Sequence, residues 1–165
     1  MLAIVAQKHR RRVSLLMLAS LLIGGGSAAY WFVCNSRARA DAINSTDFVI
    51  TIDTTKGAGL NGASTDTQFT YPGLGSDAYT IDCNNDGVVD ASVAANTPHT
   101  CNYSTPGVYT VRIASAIPRV SFNGQGDKLK LLSVDQWGTG KWRSMMNSFY
   151  GCSNMDVKAS DVPDL

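Results

Sequence analysis

The chain has 165 residues, enough for one domain and a small extra element. Its net charge of +1 conceals a split. Six of the fourteen Lys and Arg precede Asp41, while all thirteen acidic residues are Asp and lie from Asp41 onward, so that part holds eight basic against thirteen acidic groups, a net of −5. A mildly acidic body argues against a nucleic-acid backbone as partner, which needs clustered Lys and Arg.

The N-terminus reads as an export signal over residues 1–40. "KHRRR" is a basic flank, an uncharged apolar run follows over 13–33, and "ARA" (Ala38–Ala40) offers small residues to a signal peptidase just before Asp41. Uncleaved, the run is long enough to anchor the chain in a bilayer. Either way the basic flank stays cytoplasmic and the rest is exported. Cys34 follows "WFV", which lacks the small residues expected before a lipidated cysteine.

From Asp41 to about Ser115, short strand signals alternate with turn clusters: "DFVITIDT", "TQFTYP", "AYTIDC", "GVVDASV", "HTCNY" and "VYTVRIA". None keeps a helical period for ten residues, and this spacing predicts a small β-sandwich. Cys83 and Cys101 fall within it. In an oxidising compartment they can pair and staple two strands, which a domain this small needs. Neither belongs to a CxxC pair and no cluster of His surrounds them, which argues against zinc. Cys152 reads as a small buried residue.

"DCNNDGVVD" admits two readings. Asp82, Asn84, Asp86 and Asp90 match positions 1, 3, 5 and 9 of a twelve-residue calcium loop, with Gly87 at the obligatory glycine. The twelfth position, however, is Val93 rather than Glu, and the flanks look like strands. The other reading is a hairpin turn built on Asn85-Asp86-Gly87.

"YTIDCNNDGVVD" followed by "HTCNYSTPGVYTVRIAS" resembles the core of a PKD-type domain, with Tyr103–Val111 fitting its "Y-x-x-P-G-x-Y-T-V" ending. The acidic turn departs from the family's Trp-Asp-Phe-Gly-Asp-Gly pattern. Further on, "WGTGKWRSMMNSFYGCSNM" resembles the opening repeat of BspA-type leucine-rich repeat surface proteins of bacteria. Ser144, Met145, Phe149, Gly151, Cys152, Ser153, Asn154 and Met155 match the repeat core. "PRVSFNGQGDKLKLLSVDQWG" is similar to the junction such proteins place between the two modules. The resemblance implies three parts: the export segment, a sandwich over 41–117, and a junction with a first repeat unit over 118–165. The expected fold is therefore mainly β: a small PKD-like (Ig-like) sandwich followed by a short helix–strand cap or first leucine-rich repeat unit.

The residues agree with that expectation. "KWRSMMNSFYGC" places Trp142, Met145, Met146 and Phe149 on one helical face, Gly151 suits a helix end, and "MDVKA" suits a short strand. One such unit cannot bury its own face, so the chain reads as a fragment or a truncated gene product whose last unit exposes apolar surface or folds back on the sandwich. Trp142, Met145, Phe149, Cys152 and Met155 are the expected repeat core. Trp137 and Trp142 read as sealing the join rather than lining a ligand groove.

Catalysis finds little footing. There is no Glu, the two His residues are His9 and His99, and no GxSxG motif occurs. "GLNGAS" and "GQGD" lack the context of phosphate cradles. Asn44 and Asn102 begin glycosylation patterns that a bacterial host usually leaves unmodified. The expected function is a non-enzymatic, exported surface module: a spacer plus a recognition or adhesion surface. Its partner would be a protein or glycan at the cell surface, outer membrane or exterior, with no cofactor beyond the calcium alternative. The alternative is a carbohydrate-binding or accessory domain of a secreted enzyme.

Overall fold

The computed structural model describes residues 46–116 and 118–165. The expected export segment and Cys34 lie outside them. Among the described residues no helix is long and apolar enough to cross a membrane.

The protein is mainly β. Among the described residues eight strands form: β1 (Phe48–Asp53), β2 (Gln68–Tyr71), β3 (Tyr79–Asp82), β4 (Ala91–Val93), β5 (His99–Asn102), β6 (Val108–Ala114), β7 (Leu131–Gln136) and β8 (Asp156–Val157). A six-stranded sheet has the order β4-β3-β6-β1-β7-β8, and β2 and β5 form a second, two-stranded sheet. Strand alternation decides which residues enter the core. Phe48, Ile50 and Ile52 of β1, Ile81 of β3, and Val111 and Ile113 of β6 share one buried cluster with Phe69 and Tyr71 of β2 and Cys101 of β5. The result is a small sandwich-like domain.

The six strands expected before residue 115 all form, although β4 is shorter than "GVVDASV" because Val88 and Val89 belong to the preceding turn. The segment from 118 differs from expectation in two respects. First, it completes the sandwich rather than following it. β7 pairs antiparallel with β1, and Val120, Phe122, Leu131 and Val134 lie in the same core. All described residues belong to one compact unit, so the expected boundary at 117 falls inside it. β7 escapes a reading by alternation because it is bulged. Ile52 faces Leu131, Thr51 faces Ser133, Ile50 faces Val134 and Val49 faces Gln136, which leaves Leu132 and Asp135 as extra residues.

Second, no helix forms over 141–152. The segment folds as successive tight turns, with Ser148 N–H donating to Met145 O and Cys152 N–H to Phe149 O. Asn147 adopts φ +58°, outside the helical region. The carbonyls of Asn147, Ser148 and Tyr150 accept from the N–H groups of Asn123, Phe122 and Gly124, so they are not available to a helix. A stretch this short holds a helix only with strong outside support. The short strand expected in "MDVKA" does form, as β8, and pairs parallel with β7.

The expected repeat core nonetheless enters the sandwich. Trp142 and Cys152 are buried, and Met145, Phe149 and Met155 pack against the same cluster. Trp142 stands edge-on to Phe48, ring centres 4.9 Å apart, and edge-on to Trp137 at 5.6 Å, while Trp137 meets Phe149 at 6.0 Å. Gly138 lets the chain pass against the backbone just before β1: a Cβ there would lie 2.5 Å from the Thr46 carbonyl oxygen. Because Trp142 touches β1, Trp142→Ala should cost about 3–5 kcal/mol. The loss should appear in one cooperative transition, followed together by far-ultraviolet circular dichroism and tryptophan fluorescence in urea. Two separate transitions would show an independent tail.

Candidate functional site

The acidic turn between β3 and β4 is built from side-chain oxygens that accept backbone N–H groups. Asp82 Oδ1 accepts from the amides of Asn84 and Asp86, at 3.2 and 3.3 Å, and its Oδ2 accepts from Gly87 N–H at 2.9 Å. Asn84 Oδ1 accepts from Asp86 N–H, and Asp86 Oδ1 from Val88 N–H. Asp90 turns the other way, its Oδ2 accepting from Cys83 N–H at 2.7 Å. Positive φ at Asn85 (57°) and Gly87 (83°) closes the loop. Arg112 fastens it to β6 by donating to Asn85 Oδ1 at 2.6 Å. Val93, at the twelfth position, lies in β4 opposite Tyr79. The structure therefore gathers Asp82, Asn84 and Asp86 into one turn and directs Asp90 to the Cys83 backbone.

Among the described residues, the one set of three His, Cys or acidic side chains whose ligand atoms all lie within 4.8 Å of one another is elsewhere: Cys83, His99 and Cys101. Cys83 and Cys101 form a disulfide, Cα atoms 5.7 Å apart, joining the end of β3 in the large sheet to β5 in the small one. Closing a loop of this size contributes about 3 kcal/mol. His99 precedes Cys101 by two residues on β5, and residues i and i+2 share a strand face. The His-x-Cys pattern inside a strand was the available signal that a histidine would stand beside the sulfurs; the search for a CxxC pair or a His cluster passes over it. An open cavity of about 480 Å³ adjoins the three side chains and is also lined by Asn84, Asp90 and Tyr103.

A second polar group sits in the interior. Lys130 is fully buried, and its ammonium donates to the carbonyl oxygens of Ser64, Thr65 and Gln68 and to Ser64 Oγ, with Asp127 Oδ1 at 3.4 Å. Ser64 Oγ donates in turn to Asp127 Oδ2. A Ser–Lys nucleophile pair needs a nitrogen with a free lone pair. Here every neighbour of the nitrogen is an acceptor, so the group is an ammonium serving structure. Burial lowers its pKa from the ordinary lysine value, and the Asp127 carboxylate acts in the opposite direction. Cys152 is similarly unreactive: burial pushes its thiol up to about 12, against a smaller downward pull from Lys128.

Two buried tyrosines and the half-buried Tyr103 donate to backbone carbonyls: Tyr71 to Arg119, Tyr79 to Thr97 and Tyr103 to Cys83. Burial raises all three pKa values, that of Tyr79 to about 12, and neighbouring Tyr109, Asp90 and Asp82 add to the effect at Tyr103. The unfolded chain then loses these protons first, near pH 10. The stability they contribute is complete below that pH and is lost as pH rises through the folded values. Urea midpoints measured from pH 8 to 12 should therefore fall steeply above about pH 10, and less steeply in Tyr79→Phe. A flat profile, with all six tyrosines ionising together in a folded chain, would contradict this. At the acidic turn, Asp82→Ala leaves the amides of Asn84 and Gly87 without their acceptor, while Asp86 N–H keeps Asn84 Oδ1, and should lower stability by about 1–3 kcal/mol. Adding millimolar calcium should leave the thermal midpoint of the unaltered protein unchanged; a rise that Asp82→Ala abolishes would establish the turn as a calcium site.

Compared with protein-family models, with curated proteins and with solved structures, the chain finds no match.

Proposed function

We propose that the chain is a non-enzymatic module exported to the bacterial cell surface, in which the sandwich serves as the base of a leucine-rich-repeat-like surface that recognises a protein or glycan. The observation that carries this reading is the parallel pairing of β7 with β8, Ser133 opposite Asp156 and Val134 opposite Val157. Every other pairing in the two sheets is antiparallel. Solenoids stack successive units with strands side by side in one direction. The change of direction at β8, beside the "SMMNSFYGCSNM" residues packed on the sandwich, fits a cap passing into an array.

The disulfide supports export, since such bonds persist in oxidising compartments. A carbohydrate-binding accessory module usually needs an exposed aromatic platform. Trp137 and Trp142 are buried against Phe48 and each other, which favours the repeat-surface reading over that alternative.

The test uses the full chain carrying an epitope tag after Leu165. Protease added to intact bacteria should remove the tag, and a thiol label applied without reductant should leave Cys83 and Cys101 unmodified. A tag protected until the cells are lysed would sink the export reading. Retardation of the purified chain in gels containing soluble polysaccharide, with no retention on extracellular-matrix proteins, would favour the accessory-domain alternative instead.

A further inference from the structure

We infer that Cys83, His99 and Cys101 form a redox-gated metal site: oxidised, they hold the two sheets by a disulfide, and reduced, they bind a borderline-soft divalent cation such as zinc through two thiolates and an imidazole. The ligand atoms already lie within 4.8 Å of one another, before any metal draws them in. Tetrahedral zinc with two sulfurs and one nitrogen needs ligand atoms about 3.5–3.8 Å apart. Starting from a bonded pair about 2 Å apart, the sulfurs need only separate by side-chain rotation. The imidazole is half-buried on the same strand as Cys101, so its position is set by β5 rather than by a loop.

The donor set selects the ion. Two thiolates with one imidazole favour zinc and cobalt over calcium and magnesium, which take oxygen ligands. Three protein ligands leave a fourth position for water, and the adjoining cavity of about 480 Å³ can supply it. Asp90, which lines the same cavity, holds the Cys83 backbone in place, its carboxylate accepting from the Cys83 amide. Reduction by a phosphine breaks the S–S bond: the phosphine gives two electrons and becomes its oxide with oxygen from water, and each sulfur takes a proton. Binding then exchanges those two thiol protons for one divalent cation. A cation here spans the same two strands as the disulfide, so the two staples exclude each other in time while holding the same place. The disulfide suits an oxidising compartment and the cation a reducing one.

The experiment uses the full chain with Cys34→Ser and Cys152→Ala, so that the other thiols cannot contribute. Cobalt(II) is added before and after reduction with a phosphine, which competes for metal far less than a dithiol. One equivalent should give a sulfur-to-cobalt charge-transfer band and tetrahedral ligand-field bands in the reduced chain only, with zinc displacing the cobalt. His99→Ala should lose the tetrahedral bands, and circular dichroism should show that zinc restores the urea resistance lost on reduction. Absence of the bands in a reduced chain that stays folded would overturn the site. So would a reduced chain that unfolds and is not refolded by zinc, and so would bands undiminished in His99→Ala.

Discussion

Lys130 carries its charge into a place with no solvent at all, and several separate parts of the chain fold around it. Its ammonium gathers carbonyls from the β1–β2 loop at Ser64 and Thr65 and from the start of β2 at Gln68. Its own carbonyl accepts from Asp53 N–H at the end of β1. Asp127, three residues earlier, accepts from Ser64 N–H and Thr70 N–H. A buried charge is tolerated only with a partner and nearly complete hydrogen bonding, and leaving either member alone costs about 3–5 kcal/mol. The pair therefore dictates where the long loop lies, where the small sheet meets the large one, and where β7 enters beside β1.

The rest of the domain is fastened at two further places. The disulfide ties the end of β3 to β5, and the aromatic group of Phe48, Trp137, Trp142 and Phe149 ties the start of β1 to the C-terminal turns. One fastening is covalent, one ionic and one apolar. A reductant therefore acts on only one of the three.

The first six strands were legible because alternation and turn residues agree locally, as in "VYTVRIA" after "STPG". The disulfide followed from two cysteines in neighbouring strand signals. β7 was not legible, because bulges at Leu132 and Asp135 break the period of two that alternation relies on. The apolar spacing of Trp142, Met145, Met146 and Phe149 suggested a helix, but the carbonyls of Asn147, Ser148 and Tyr150 serve the 122–124 strip instead, and Met146 lies exposed. Nothing near Lys130 and Asp127 in the sequence marks them as buried, since only the distant Ser64–Gln68 carbonyls make the burial of the lysine tolerable. Asn85-Asp86-Gly87 was legible as a turn between two strands, whereas His99 was passed over because its neighbours Cys83 and Cys101 come together only through two different sheets.

The two ends of the described unit meet the same short stretch of chain. Thr46 O accepts from Thr139 N–H, and Asp164 O accepts from Trp142 N–H, with the Asp164 carboxylate 3.0 Å from the Lys141 ammonium. A polypeptide threaded through this unit therefore enters and leaves at one corner. Such a unit adds bulk but almost no reach to whatever it is built into. Tension applied at its ends bears first on the few bonds around Thr139–Trp142.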